Sequence, residues 1–338
     1  MRKIKYDNVP ETAEETKNKG NIRFIFWALI AVFGVIFLIS GFIVGRYLLE
    51  SRGSKQMQQD LVDMYHTTER TIPTTRPNDS TDLTDPTTQP ADPTDPTTQP
   101  PTNPTTQPTN PSDPTDPTTQ PTEPVPTEPQ ILEELRDIYA RNNHLVGWIY
   151  IPGTENAGQN FAGINYPVLQ TPNIPEWHNY YLYRNFDGED DKHGWIYVRE
   201  ACDVFEPSDN IVIYGHNMAD GTMFGQIVNY RYKSYYEAHK YIFFDTLYEH
   251  HCYEIIAVFH TSGTTGVGYT YHSKNNFRDA EDFNEFMAAI KGGVNNVKIW
   301  YHINTTAEFG DKLITLSTCW KTPDEPDGRL VVVAKRIS

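Results

Sequence analysis

The sequence predicts a mainly β domain, closed or nearly closed into a barrel, over residues 131–338 of a 338-residue chain. Two observations carry that expectation. Nine short stretches are dense in β-branched and aromatic residues: 147–151, 166–170, 194–198, 210–215, 241–246, 253–259, 298–303, 313–318 and 330–337. Turn-forming clusters separate them, and only two helical patterns accompany them. Eight or so strands with so few helices favour a sheet that closes on itself.

Taken in order, "ILEELRDIYARNN" (131–143) spaces its apolar residues for a helix and opens the domain as a packing element. The strand-like stretches then follow one another. Between 253–259 and 313–318, "DAEDFNEFMAAI" (279–290) reads as a helix with Asp and Glu in its first turn, where the helix dipole favours them. No GxGxxG follows a strand and no phosphate loop occurs, so nucleotide binding has no support.

The first 130 residues have a different composition. From Phe24 to Gly45 no charge interrupts "FIFWALIAVFGVIFLISGFIVG", a run long enough to cross a bilayer as a helix. A cleaved signal would have a shorter apolar region and a small-residue cleavage site, so an uncleaved anchor is expected. Arg2, Lys3, Lys5, Lys17, Lys19 and Arg23 precede the run, whereas Arg46, Arg52 and Lys55 follow it closely. That bias puts residues 1–23 in the cytoplasm and the rest of the chain outside. Residues 46–70 then form a juxtamembrane segment.

Residues 71–130 repeat "TDPTTQP" at 84–90, 94–100 and 115–121, and hold 17 of the chain's 25 prolines. Proline fixes φ and removes a donor, and almost nothing here is apolar enough to bury. A disordered, polyproline-II-like extracellular stalk is expected, reaching at most roughly 180 Å at about 3.1 Å per residue. The net charge of −16 is partly this segment's, with nine acidic residues against one basic. No basic stripe points to nucleic acid.

Three cysteines are present, Cys202, Cys252 and Cys319. A disulfide between Cys202 and Cys252 is open to a domain outside the cell. Cys252 follows His250 and His251, but neighbours on a strand point to opposite faces and no second ligand cluster follows, so no metal is expected. Cys319 ends an apolar strand, and Arg329 opens the next one ten residues later. A thiol of this kind needs an imidazole to move protons, and His216 stands just past the strand "NIVIYG". A fixed guanidinium such as Arg329 suits an oxyanion or a substrate carbonyl. Taken singly, His216 also fits a turn residue and Arg329 a surface charge; the combination makes the case.

"YGHNMADGTMF" (214–224), "TLSTC" (315–319) and "RLVVVAKRI" (329–337) resemble the His, Cys and Arg motifs of class B sortases. "GWIYIPGT", "INYPVLQ" and "YYLYRNF" extend the resemblance over nearly all of 131–338. It implies a sortase-type closed eight-stranded β-barrel with an N-terminal helix and a helix between the sixth and seventh strands. It implies, further, a membrane-anchored cysteine transpeptidase of the kind that anchors surface proteins to Gram-positive cell walls. Such an enzyme cleaves a C-terminal sorting motif of secreted proteins through a Cys thioester and passes the acyl group to a cell-wall or pilin amine. Carried over by motif, Cys319 is the nucleophile, His216 the general acid/base and Arg329 the oxyanion or orienting group. Ser317 and Asn179 match groove positions that bind substrate, and no cofactor is implied. The chain departs from the pattern in the long "IPGTENAGQNFAGINYPV" connection, in Trp320 and Lys321 after the cysteine, and in the Thr/Pro segment.

Two other readings stay open on the residues. A catalytically inactive, stalked wall-binding or adhesive protein would have no need of an intact His, Cys and Arg set. A papain-like hydrolase would place its cysteine early, at a helix start.

Overall fold

The computed structural model describes residues 13–65, 129–156, 159–161, 163–292 and 296–338. The chain forms helix α1 (Ala13–Met64), α2 (Glu133–Arg141), strand β1 (Leu145–Ile151), a small hairpin of β2 (Thr154–Asn156) and β3 (Gln159–Phe161), then β4 (Ile164–Leu169). There follow β5 (Tyr197–Val198), β6 (Asn210–Tyr214), α3 (Lys233–Ala238), β7 (Tyr241–Thr246), β8 (Cys252–Ser262), α4 (Ala280–Gly292), β9 (Lys298–Ile299), β10 (Leu313–Cys319) and β11 (Gly328–Arg336).

The main sheet runs β11-β10-β6-β5-β4-β1-β7-β8, and β8 pairs with β11 to close the ring. β9 adds a two-residue ninth strand on the outside of β8. Eight strands therefore make the barrel, mostly antiparallel, with parallel pairs β6–β10 and β4–β5. α4 lies between the sixth and seventh barrel strands, as expected. Ile149, Phe244, Leu316 and Val332 fill the interior, whereas Trp148, on the other face of β1, meets Tyr65. A second cluster sits outside the wall, where Phe283, Phe286 and Ile290 of α4 meet Phe259, Val331 and Val333. β11 thus buries both faces, which explains its unbroken apolar run.

Three elements differ from expectation. The 194–198 and 298–303 stretches are strands only at Tyr197–Val198 and Lys298–Ile299. The long connection folds on itself as the β2–β3 hairpin. The disulfide left open between Cys202 and Cys252 is absent, since all three cysteines are free. Burial pushes the Cys252 thiol up to about 11 and raises that of Cys202, so both stay protonated at neutral pH.

α1 is continuous through the apolar run and beyond it. Phe24 to Val44 is exposed and long enough to cross a membrane. The second half is amphipathic: Ser51, Ser54, Leu61 and Tyr65 are buried, a stripe at spacings of three and four broadened by half-buried Met57 and Gln58. Residues 46–64, the described helical part of the expected juxtamembrane segment, are therefore packed on the barrel. Tyr65 stacks on Trp148 with ring centroids 4.1 Å apart and planes within 4°. Its hydroxyl donates to Asp245 Oδ2 at 2.6 Å, at the end of β7. Aromatic stacking of this kind adds about 0.5–1.5 kcal/mol beyond the area buried. α2 returns to the same place, because the Leu132 amide donates to the Leu247 carbonyl at 2.8 Å. The stalk expected at 71–130 lies, apart from its last two residues, outside the described residues.

Candidate active site

The parallel pairing of β6 with β10 decides the geometry. Tyr214 is the register partner of Ser317, so both strands leave the barrel at the same end, and two residues further on come His216 and Cys319. On the other side of β10, antiparallel β11 makes Arg329 the direct partner of Cys319. Neighbouring strands lie about 4.7–4.9 Å apart, so three consecutive strands present an imidazole, a thiol and a guanidinium at one rim. Cross-strand bonds hold the strand ends together: Thr318 Oγ1 donates to the Gly215 carbonyl at 2.8 Å and Asn217 Nδ2 to the Cys319 carbonyl at 2.9 Å.

All three side chains line one cavity of about 540 Å³, with Asn179, Leu182, Tyr183, Tyr197, Tyr214, Ser317 and Lys321 also in its wall. His216 Nε2 lies 2.7 Å from the Leu182 carbonyl. A carbonyl only accepts, so Nε2 is the donor in this contact. Arg329 Nη1 donates to the Asp327 and Gly328 carbonyls at 3.0 and 3.1 Å and pairs with Asp327 Oδ1 at 2.9 Å. Burial works against its charge, but the electrostatic pull of Cys319 and Asp327 outweighs it, so the pKa of Arg329 lies above its ordinary value. Gly263 permits this packing: a Cβ there would come 2.7 Å from the Arg329 Cζ.

Ser317 and Asn179 also reach the cavity wall. Ser317 is buried and its Oγ shares a 2.7 Å hydrogen bond with the Tyr271 hydroxyl. Asn179 takes a left-handed backbone (φ 55°), accepts from the Tyr197 hydroxyl at 3.1 Å, and donates its amide to Glu200. A second cavity of about 380 Å³ adjoins the first, sharing Asn179, Tyr214 and Arg329 and adding Tyr271, Gly263 and His272. Trp320 packs under Arg231, whose guanidinium sits 4.7 Å from the ring, while Lys321 lines the first cavity. Thr318, Asn217 and Tyr183 escaped sequence reasoning, although the first two lie beside the motif residues they brace.

Residues 162–337 match the sortase domain family. The chain belongs to the sortases. Sortase B of Listeria monocytogenes is 31% identical over 211 residues, covering 62% of this chain and 76% of that protein. Sortase B of Staphylococcus aureus is 32% identical over 196 residues, covering 58% and 71%. Among solved structures, sortase B of Bacillus anthracis in complex with AAEK2 superposes with a TM-score of 0.51 at 30% identity, covering 63% of this chain and 86% of that one. A Staphylococcus aureus sortase B–substrate complex gives 0.51 at 28%, covering 62% and 87%. The relatives are class B sortases, and this sortase is accordingly a cysteine transpeptidase with the class B barrel.

Proposed function

We propose that Cys319 is the nucleophile of this sortase, His216 its general acid/base and Arg329 its oxyanion-binding group, acting on a C-terminal sorting motif of secreted proteins. The observation that carries this is the register: Cys319 opposite Arg329 on one side, and His216 on the parallel neighbour on the other. The Cys319 thiolate attacks the scissile carbonyl, and the resulting oxyanion meets the Arg329 guanidinium. His216 gives the leaving amine a proton, leaving an acyl thioester on Cys319. An incoming cell-wall or pilin amine loses its proton to His216, attacks the thioester and releases the thiolate. Asn179 and Ser317 support a peptide path along the two joined cavities.

The same reading makes residues 1–23 a cytoplasmic tail and 24–45 the membrane anchor, with the catalytic domain outside; the basic bias before the apolar run supports it. The path from Gly45 to the first buried helix residue, Ser51, is six residues of helix, about 9 Å. Both flanks of residues 66–128 end at β7, through Tyr65 on Asp245 and Leu132 on Leu247. That convergence favours α1, rather than the Thr/Pro segment, as the element that sets the domain's height above the membrane.

To test the assignment, the full chain is screened in detergent against a library of internally quenched peptides. Cys319→Ala is expected to lower cleavage of the best peptide by roughly 10⁴-fold or more. Cleavage that survives the substitution rejects Cys319 as nucleophile.

A further inference from the structure

His216 sits on a loop, and what holds that loop is the helix that leaves the membrane. The loop closes locally: the Phe224 amide donates to the His216 carbonyl at 2.9 Å, and Asn217 bridges to Met223. Asp220 lies at its far turn. One carboxylate oxygen of Asp220 accepts from the Thr222 amide and hydroxyl at 3.1 and 2.6 Å. The other accepts from the hydroxyl of Ser51 in α1, 169 positions earlier in the chain, and lies 4.0 Å from Lys55 Nζ. Ser51 and Asp220 are both largely buried, at 7% residue and 10% side-chain exposure. The contact is therefore shielded from water, where a charge-assisted hydrogen bond is strongest.

α1 also holds the wall that fixes the imidazole. The Leu182 carbonyl that accepts from His216 Nε2 belongs to a segment folded back through Asp191 N to Tyr183 O (2.9 Å) and Trp195 N to Tyr181 O (2.8 Å). Gly194, at φ 57°, allows the close approach, since a Cβ there would meet the Leu182 carbonyl at 2.5 Å. Within that segment Lys192 pairs with Glu50 of α1 and lies 5.5 Å from the Tyr47 ring. His193 is fully buried between the two systems, its Nδ1 2.9 Å from Asp191 and its Nε2 3.9 Å from Asp220.

We propose that Ser51 and Asp220 are positioning residues for transpeptidation: the Glu50–Lys55 turn of α1 holds the Asp220 loop and the Leu182 segment together, and so sets the orientation of His216. The membrane-proximal helix is then a working part of the catalytic unit. The inference rests on His216 being the acid/base. Ser51 touches neither substrate nor reacting atoms, so its effect is on the turnover step rather than on substrate capture.

The experiment uses the full chain in detergent micelles, with the best-cleaved library peptide as probe and histidine labelled with ¹³C at Cε1. Ser51→Ala and Asp220→Asn are expected to lower kcat roughly tenfold, inside the 10²-fold that an ångström of misplacement can cost. KM stays near that of the parent chain, Tm falls by only a few degrees, the His216 resonance moves in both variants, and Ser51→Thr restores all of these. Unchanged kcat and an unmoved resonance overturn the proposal, as does a kcat loss that follows Tm in proportion. Should the parent chain cleave no peptide, the functional assignment fails, while the His216 resonance still decides the positioning role.

Discussion

Cys319 and Arg329 reach the cavity by one physical route and His216 by another. The first two are register partners on adjacent strands, so the hydrogen-bonded ladder of β10 and β11 fixes their separation. Both strands belong to a closed ring, and β11 is buried on both faces. His216 lies two residues beyond the end of β6, where no ladder continues. Around it stand the Leu182 carbonyl, cross-strand bonds from Thr318 and Asn217 and, on the proposal above, the contacts arriving from α1 through Asp220. Backbone pairing thus fixes where Cys319 and Arg329, the proposed nucleophile and oxyanion group, stand, and side-chain contacts distant in sequence surround His216, the proposed acid/base.

Disturbing the ladder side should have the larger effect. Gly263→Val puts a side chain where the Arg329 guanidinium packs, with Cβ 2.7 Å from Cζ and 2.9 Å from the Asp327 carbonyl. Displacing Arg329 from its proposed oxyanion-binding position is expected to lower kcat by roughly 10²-fold, measured on the same quenched peptide. Activity within twofold of the parent would show that Arg329 does not need this seat.

Acid probes the side-chain contacts. Burial raises the Asp220 pKa, but hydrogen bonds from Ser51 and Thr222 and the charge of Lys55 outweigh it, leaving the pKa below its ordinary 3.8. Such a group contributes stability that is present above the unfolded value and is lost as pH falls through the folded one. His193 Nε2, 3.9 Å away, and Lys55 Nζ, 4.0 Å away, face the same carboxylate. Amide exchange in residues 216–224, corrected for intrinsic rate, is therefore expected to accelerate below about pH 4. Asp220→Asn should remove most of that acid step; an identical step in the variant would assign it elsewhere.

The smallest effect is expected from the region that dominates the sequence by eye. Deleting residues 71–128 and joining the flanks with a short Gly/Ser linker should leave Tm within a few degrees and kcat within about twofold, because both flanks meet at Asp245 and Leu247. Loss of folding on deletion would contradict that convergence.

The same contrast decides what was legible beforehand. The barrel was readable because β-branched and aromatic runs report burial locally, and the ten residues from Cys319 to Arg329 suit two adjacent strands joined by a short turn. The hairpin at 154–161 was not, since "TENAGQNF" lacks an apolar alternation. The docking of α1 was hidden for a different reason. Ser51 and Ser54 look like polar residues after a membrane span, and only the fold shows that small side chains there allow close packing. A hydrogen bond between positions 51 and 220 leaves no periodicity in the sequence to detect.

The most direct test of the catalytic assignment is the intact mass of the full chain, quenched in acid during turnover of its best peptide. An adduct equal to the acyl half of the peptide is expected, mapped to the fragment holding Cys319, released by hydroxylamine, and converted to an amide when an amine is supplied. A chain that turns over peptide with no adduct at Cys319, or with one elsewhere, would contradict the thioester route.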